Sequence, residues 1–189
     1  MKSIITIELA LLLIMILVKA VILLRNGITT FRVGKPDKNA LALILIIGCF
    51  IYAAIAGSLG LPFPFFAGKT FWNIQILNLL AILICTISLI WVGITLVIFG
   101  NSFRIGIDKK TNEKLITTGT FAISRNPIFS AFIAFFFGVF LTYSNLITLT
   151  FLILLTIIVH RQIIQEEDFL KKHYKKEYED YSAKVKRYF

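Results

Sequence analysis

Gly119, Phe121, Pro127 and Phe129, in the stretch LITTGTFAISRNPIF from Leu115 to Phe129, could do chemistry together with the acidic pair Glu166–Glu167. Pro127 opens a long apolar run, a favoured place for proline because its missing N–H would be unpaired there in any case. The other early N–H groups of such a helix stay free for an acceptor. Gly119 lets the backbone come close to a ligand or take a positive φ. Phe121 and Phe129 offer flat apolar faces to an aromatic ring. Glu166 and Glu167 offer oxygens to an ammonium or a ribose hydroxyl.

The elements that must position these residues are membrane-spanning helices. The chain has 189 residues, 58% of them hydrophobic, with a mean hydropathy of +0.85, far too apolar for a soluble domain of this size. Charge-free runs cover Ala40–Gly68, Thr70–Phe103 and Pro127–His160, and each exceeds the roughly 20 helical residues a bilayer requires. The last run holds 34 residues and would reach about 51 Å as one helix. Tyr143–Ser144–Asn145 breaks it with turn-forming residues. The second of the resulting helices continues past Arg161 into the polar tail. With a first helix near Ile4–Leu24, the count is about five spans. That helix carries Glu8 and Lys19, each expected to snorkel to its own interface.

A hairpin turning at Ser144 sets Arg161 level with Pro127 and Glu166 level with Ala122. Gly119–Phe129 and Glu166–Glu167 then meet at one height, at the cytoplasmic headgroup boundary. Together these residue types suit a zwitterionic nucleoside such as S-adenosylmethionine. Gly–Thr before a helix is also ordinary, and an acidic pair beyond a span is often merely solvated, so residue types alone leave the site open.

Seventeen of the 20 Lys and Arg residues fall in Arg25–Asn39, Asn101–Asn126 and the tail from Arg161 onward. The positive-inside rule therefore puts the tail in the cytoplasm and the N-terminus outside, in a plasma or inner membrane. The net charge of +10 follows from that topology and from attraction to anionic membrane lipids, and nucleic acid is not needed to explain it. No cleavable signal peptide is evident. The outer loop LPFPFFAGKTFW suits an aromatic belt through Phe63, Phe65, Phe66, Phe71 and Trp72. Asn73 is positioned to cap the third span, and Ala53-x-x-x-Gly57 offers a small-residue contact face. Leu170, Tyr174, Tyr178, Tyr181 and Val185 recur at helical spacing in the tail, giving an amphipathic cytoplasmic helix. Cys49 and Cys85 read as small core residues, and His160 and His173 lack any second ligand nearby, so no metal is expected. No paired charges line several spans, which argues against a transporter.

The order NSFRIGID, KLITTGTF, SRNPIF, QEEDFL, EYEDYSAKVKR resembles the isoprenylcysteine carboxyl methyltransferase family, which is related to phospholipid methyltransferases. That family reads, in outline, LVxxGxYxxxRHPxY, then about forty residues, EExxL and EYxxYxxxVxR. The resemblance covers Asn101–Arg187. It implies an all-α integral-membrane methyltransferase whose S-adenosylmethionine is held by the last two spans and the tail, with a lipid-dissolved or lipidated acceptor. Residue by residue it implies cofactor contacts from Leu115 and Ile116, from Gly119 and Phe121 in GxY, from Asn126, Pro127, Ile128 and Phe129 in HPxY, and from Glu166, with Glu167 beside it. Arg161 lies near a substrate-facing arginine.

Three departures stand out. Asn126 replaces histidine and can hydrogen-bond but not carry charge. Phe121 and Phe129 replace tyrosines, and Lys175 stands where a glycine usually precedes the EY pair. No catalytic base is expected, because a carboxylate, thiolate or unprotonated amine needs none. The expected organisation is one membrane domain: three spans over residues 1–100, a cytoplasmic loop over 101–126, a transmembrane hairpin over 127–165 and a tail helix over 166–189. The alternatives are a lipid-amine or phospholipid N-methyltransferase, and a non-catalytic lipid-binding or scaffold member.

Overall fold

A computed structural model describes residues 1–26, 38–61, 69–100 and 115–189. The loop residues Asn101–Lys114, with Gly106, and the aromatic residues Phe63, Phe65 and Phe66 lie outside them. Hydrocarbon offers the backbone no hydrogen bonds, so apolar chain must satisfy itself as helix. The chain forms α1 (Lys2–Arg25), α2 (Lys38–Leu59), α3 (Gln75–Phe99), a 3-10 turn (Gly119–Ala122), α4 (Pro127–Thr142), α5 (Leu146–Tyr174) and α6 (Lys176–Lys184). Among the described residues there is no strand, only an isolated parallel bridge between Ser124 and Lys186. Lys2–Arg25, Ala42–Leu59, Gln75–Phe99 and Leu146–Tyr174 are long and apolar enough to cross a membrane. The protein is an all-α integral membrane protein.

The fifth apolar helix, α4, has 16 residues and is about 24 Å long. Short as it is, α4 is the core: 10 of its 16 residues are buried, against 6 of 24 in α1. It packs most extensively on α3 and also touches α5, α1 and α2. Small residues let the backbones approach. A Cβ at Gly138 would meet Cys85 Sγ at 2.5 Å, and one at Gly57 would meet the Tyr143 ring at 2.5 Å. Phe50, Phe135 and Phe136 fill the space between the helices.

The α4–α5 turn lies at Tyr143–Ser144–Asn145, as the sequence predicts. Asn145 does more than turn the chain. Its side chain accepts from Thr148 N (2.9 Å) while Thr148 Oγ1 accepts from Asn145 N (3.2 Å), a reciprocal cap on α5.

Three local expectations change. Asn73 does not cap α3, whose N-cap is Ile74 with no side-chain bond. Glu8 does not snorkel; it is buried against α3, where Thr86 Oγ1 donates to its Oε1. The tail is not one helix, because α5 runs to Tyr174 and the chain then breaks at Lys175, with φ 48° and ψ −118°. That break folds α6 back so that Tyr178 and Tyr181 turn inward.

Candidate functional site

Asn126, the N-cap of α4, sets the site at the Pro127 end of that helix. Pro127 occupies the first helical turn, and Ser124 Oγ accepts from Asn126 N at 3.1 Å. The Asn126 side chain turns away from its own helix. Its Nδ2 donates to Glu167 Oε1 at 2.9 Å and to Arg187 O at 3.2 Å. Glu167 also receives Arg125 on both oxygens at 3.3 Å, and Arg187 Nε and Nη2 on Oε2 at 3.0 and 2.9 Å. Two forked guanidinium groups and an amide therefore converge on one buried carboxylate, an arrangement of charge-assisted bonds.

The end of α6 and the segment after it strap this cluster. Arg125 N donates to Lys186 O (2.9 Å), Arg125 Nη1 donates to Ser182 O (2.8 Å), and Tyr181 OH donates to Phe121 O (2.7 Å). Beyond it, Tyr188 is hydrogen-bonded to His160 Nδ1 and Phe189 packs edge-on against Trp91, with ring centroids 5.7 Å apart.

The two segments expected to converge do meet, though Glu167 pairs with Arg125 and Asn126, not with residues near Phe121. The symmetric-hairpin rule assumes continuous helix, whereas the chain before Pro127 is a 3-10 turn and a bend that fold in beneath α4. The remaining candidates occupy distinct settings. Leu115 and Ile116 are half-buried and lead into the 3-10 turn. Gly119 has φ 63°, and Ile98 fills the space a Cβ would need. Phe121 is buried edge-on against Phe99 at 5.0 Å, so its ring belongs to the core. Pro127 and Ile128 are buried, and Phe129 is half-buried. Glu166 is half-buried, with Gln162 Nε2 donating to its Oε1 at 2.9 Å. Arg161 is exposed on α5 and is not among the residues that bond Glu167.

Arg125 and Arg187 are the residues that motif reading did not assign. Both stood inside quoted motifs, SRNP and VKR, and the acidic pair Glu166–Glu167 was the one signal of a partner for them. Two arginines against Glu167 leave the cluster with a net positive charge. The bond to Glu167 raises Arg187 further above its ordinary range. Burial, reinforced by the Glu167 charge, pushes the Tyr178 hydroxyl up to about 12. Burial also pushes Tyr181 up to about 12, with Tyr178 adding to it. The Tyr178 hydroxyl is buried and has no hydrogen-bond partner among the described residues. Among the described residues no group of three His, Cys, Asp or Glu could hold a metal ion.

An apolar helical bundle with a buried ionic knot at one end defines a membrane protein with a polar site at its rim. The family described as phospholipid methyltransferase matches residues 72–177, more than half of the chain, with Tyr178, Tyr181 and Arg187 of this site beyond the match. The chain belongs to that family. Two relatives, each named "Probable protein-S-isoprenylcysteine O-methyltransferase", from Oryza sativa subsp. indica and subsp. japonica, are each 30% identical to it over 120 residues. The match takes in 62% of this chain and 61% of each relative. The motif resemblance to isoprenylcysteine methyltransferases is thus supported by similarity over 62% of the chain. No solved structure matches the chain.

Proposed function

We propose that this protein is an S-adenosylmethionine-dependent methyltransferase acting on a lipid-dissolved acceptor, with the ionic end of α4 at the cytoplasmic face and the N-terminus outside. One observation carries the reading. Asn126 and Glu167, 41 positions apart, meet at one end of a transmembrane hairpin and build a cluster with surplus positive charge. An unpaired buried hydroxyl, Tyr178, belongs to the same cap.

The residues present fit a zwitterionic nucleoside. The surplus guanidinium charge of Arg125 and Arg187 suits an amino-acid carboxylate. Glu166, bonded by Gln162 on one oxygen, is an acceptor for an ammonium or a ribose hydroxyl. Phe129, Leu115 and Ile116 are the half-buried apolar faces available to a base. S-adenosylmethionine, when bound, supplies an electrophilic methyl group on a sulfonium, and a carboxylate acceptor needs no general base to receive it. The chain's own work is then alignment and exclusion of water. The Glu167 knot holds the strap of residues 185–189 against the start of α4, and Arg161 stands exposed for an anionic headgroup. An isoprenylated cysteine carboxylate, the chemistry in the relatives' name, is the acceptor that fits these cations best. A phospholipid amine, which the matched family's name suggests, is the second reading.

Calorimetric titration of detergent-purified protein with S-adenosylhomocysteine tests the proposal. The expected result is saturable binding that Glu166→Ala weakens by about tenfold, the loss of one charged hydrogen bond, with the melting temperature unchanged. No binding at millimolar ligand in folded protein would overturn the reading in favour of a non-catalytic lipid-binding member.

A further inference from the structure

The chain has two tryptophans, and they differ in one respect. Trp72 Nε1 donates to Leu141 O at 3.0 Å. Trp91 Nε1 is buried and has no partner among the described residues. A buried donor left unpaired costs its full desolvation penalty, so an orphan of this kind marks a place where an acceptor atom belongs.

The surroundings of Trp91 say what arrives there. Its carbonyl accepts from Thr95 Oγ1, and the same hydroxyl is hydrogen-bonded to Thr120 Oγ1 in the 3-10 turn before α4. Phe189 covers the indole edge-on, and the neighbouring Tyr188 is bonded to His160 on α5. Trp91 lies eight residues inside the Phe99 end of α3, about 12 Å along the axis. His160 lies seven residues inside Glu167 on α5, about 10 Å. Trp91, Tyr188 and His160 therefore stand between α3 and α5, deeper toward the apolar layer than the ionic knot. That is the side from which a lipid-dissolved acceptor reaches the site.

We propose that the Trp91 indole N–H hydrogen-bonds an anionic oxygen of the lipid acceptor, a carboxylate or a phosphate, and so makes Trp91 a specificity-determining residue for methyl transfer. This rests on the methyltransferase reading above. An indole N–H only donates, so it selects for an oxygen and gives nothing to an ammonium. Phe189, itself 58% exposed, is the side chain the headgroup displaces.

The test is nuclear magnetic resonance of 15N-tryptophan protein in maltoside micelles, which contain no competing phosphate. Two indole signals are expected, and Trp91→Phe removes and thereby assigns one. The probes are N-acetyl-S-farnesylcysteine for the carboxylate, farnesyl phosphate for the phosphate and farnesylamine for the ammonium, each added after S-adenosylhomocysteine. A saturable shift of the Trp91 signal with an anionic probe, absent with farnesylamine, supports the proposal and shows which oxygen is read. Trp91→Phe should then weaken that probe about tenfold, the size of one charge-assisted bond, while S-adenosylhomocysteine binds as before. A still Trp91 signal with both anionic probes, in protein that binds S-adenosylhomocysteine, overturns it. An equal shift with farnesylamine overturns it as well. If the signal moves but S-adenosylhomocysteine does not bind, the Trp91 site stands and the methyltransferase reading falls. If neither occurs, both fall.

Discussion

At its Thr142 end, α4 is tied down by neutral groups. The Tyr143 hydroxyl shares hydrogen bonds with Thr6 (3.0 Å) and Ser58 (2.9 Å) and donates to Lys2 O (3.1 Å). Ser144 Oγ donates to Trp72 O, and Phe71 N donates to Ser144 O. At its Pro127 end the ties are ionic, with Glu167 receiving Arg125, Arg187 and Asn126. The neutral set forms a ring of hydroxyls that bond one another, with the Lys2 ammonium 5.9 Å from the Tyr143 ring centroid and outside that ring of bonds. The ionic set is unbalanced by one positive charge and stands beside an unpaired Tyr178 hydroxyl. A helix that needed only anchoring could have used the neutral device twice, and this is why the proposed ligand site is set at the ionic end.

The comparison can be broken most forcefully at Glu167. Glu167→Ala leaves two guanidinium groups and an amide without their common acceptor. It should cost about 3 kcal/mol, the low end for breaking a buried pair, because Arg187 is 39% exposed and solvent screens it. Thermal unfolding in detergent measures this, and a change within error would mean the knot is ornamental. Lys175→Gly sharpens the contrast in the other direction. Lys175 is the non-glycine residue held at positive φ among those described, and glycine there should raise stability by about 1 kcal/mol. A loss would mean the lysine side chain has a role of its own.

At the neutral end, Tyr143→Phe removes one hydroxyl from a ring of several, and hydrogen bonds between membrane helices are individually weak. A loss of about 0.6 kcal/mol is expected. A cost equal to that of Glu167→Ala would erase the distinction between the two ends. The smallest effect is alkaline. Tyr178 and Tyr181 titrate near 12, above the usual 10, so their favoured neutral state is intact below pH 10 and lost as pH rises through 12. The melting temperature in detergent should hold up to pH 10 and fall between pH 10 and pH 12.

Much of the fold was legible because apolar length is a strong signal. The charge-free runs became helices, and the Tyr143–Asn145 break became the turn. The convergence of the HPxY-like segment with the acidic pair was legible too, since a hairpin fixes heights. Height alone could not tell the two glutamates apart. Adjacent residues on a helix point about 100° from each other, so Glu167 meets both arginines while Glu166 lies beside Gln162. Arg125 and Arg187 pair through side chains from distant segments, and no local spacing encodes such a meeting. Lys175 hid a break because lysine carries no turn signal, although the glycine at that place in the family pattern was a clue.

The shortness of α4 has a consequence for the lipid around it. A helix about 24 Å long sits in a hydrocarbon slab of about 30 Å, and the mismatch is met by local thinning of the bilayer. Ten of the 16 residues of α4 are buried against other helices, so the leaflet thins only along the edge of the bundle where α4 meets lipid. On the proposed function, that thinning brings an amphiphile of the leaflet nearer the depth of Trp91 without its leaving the hydrocarbon.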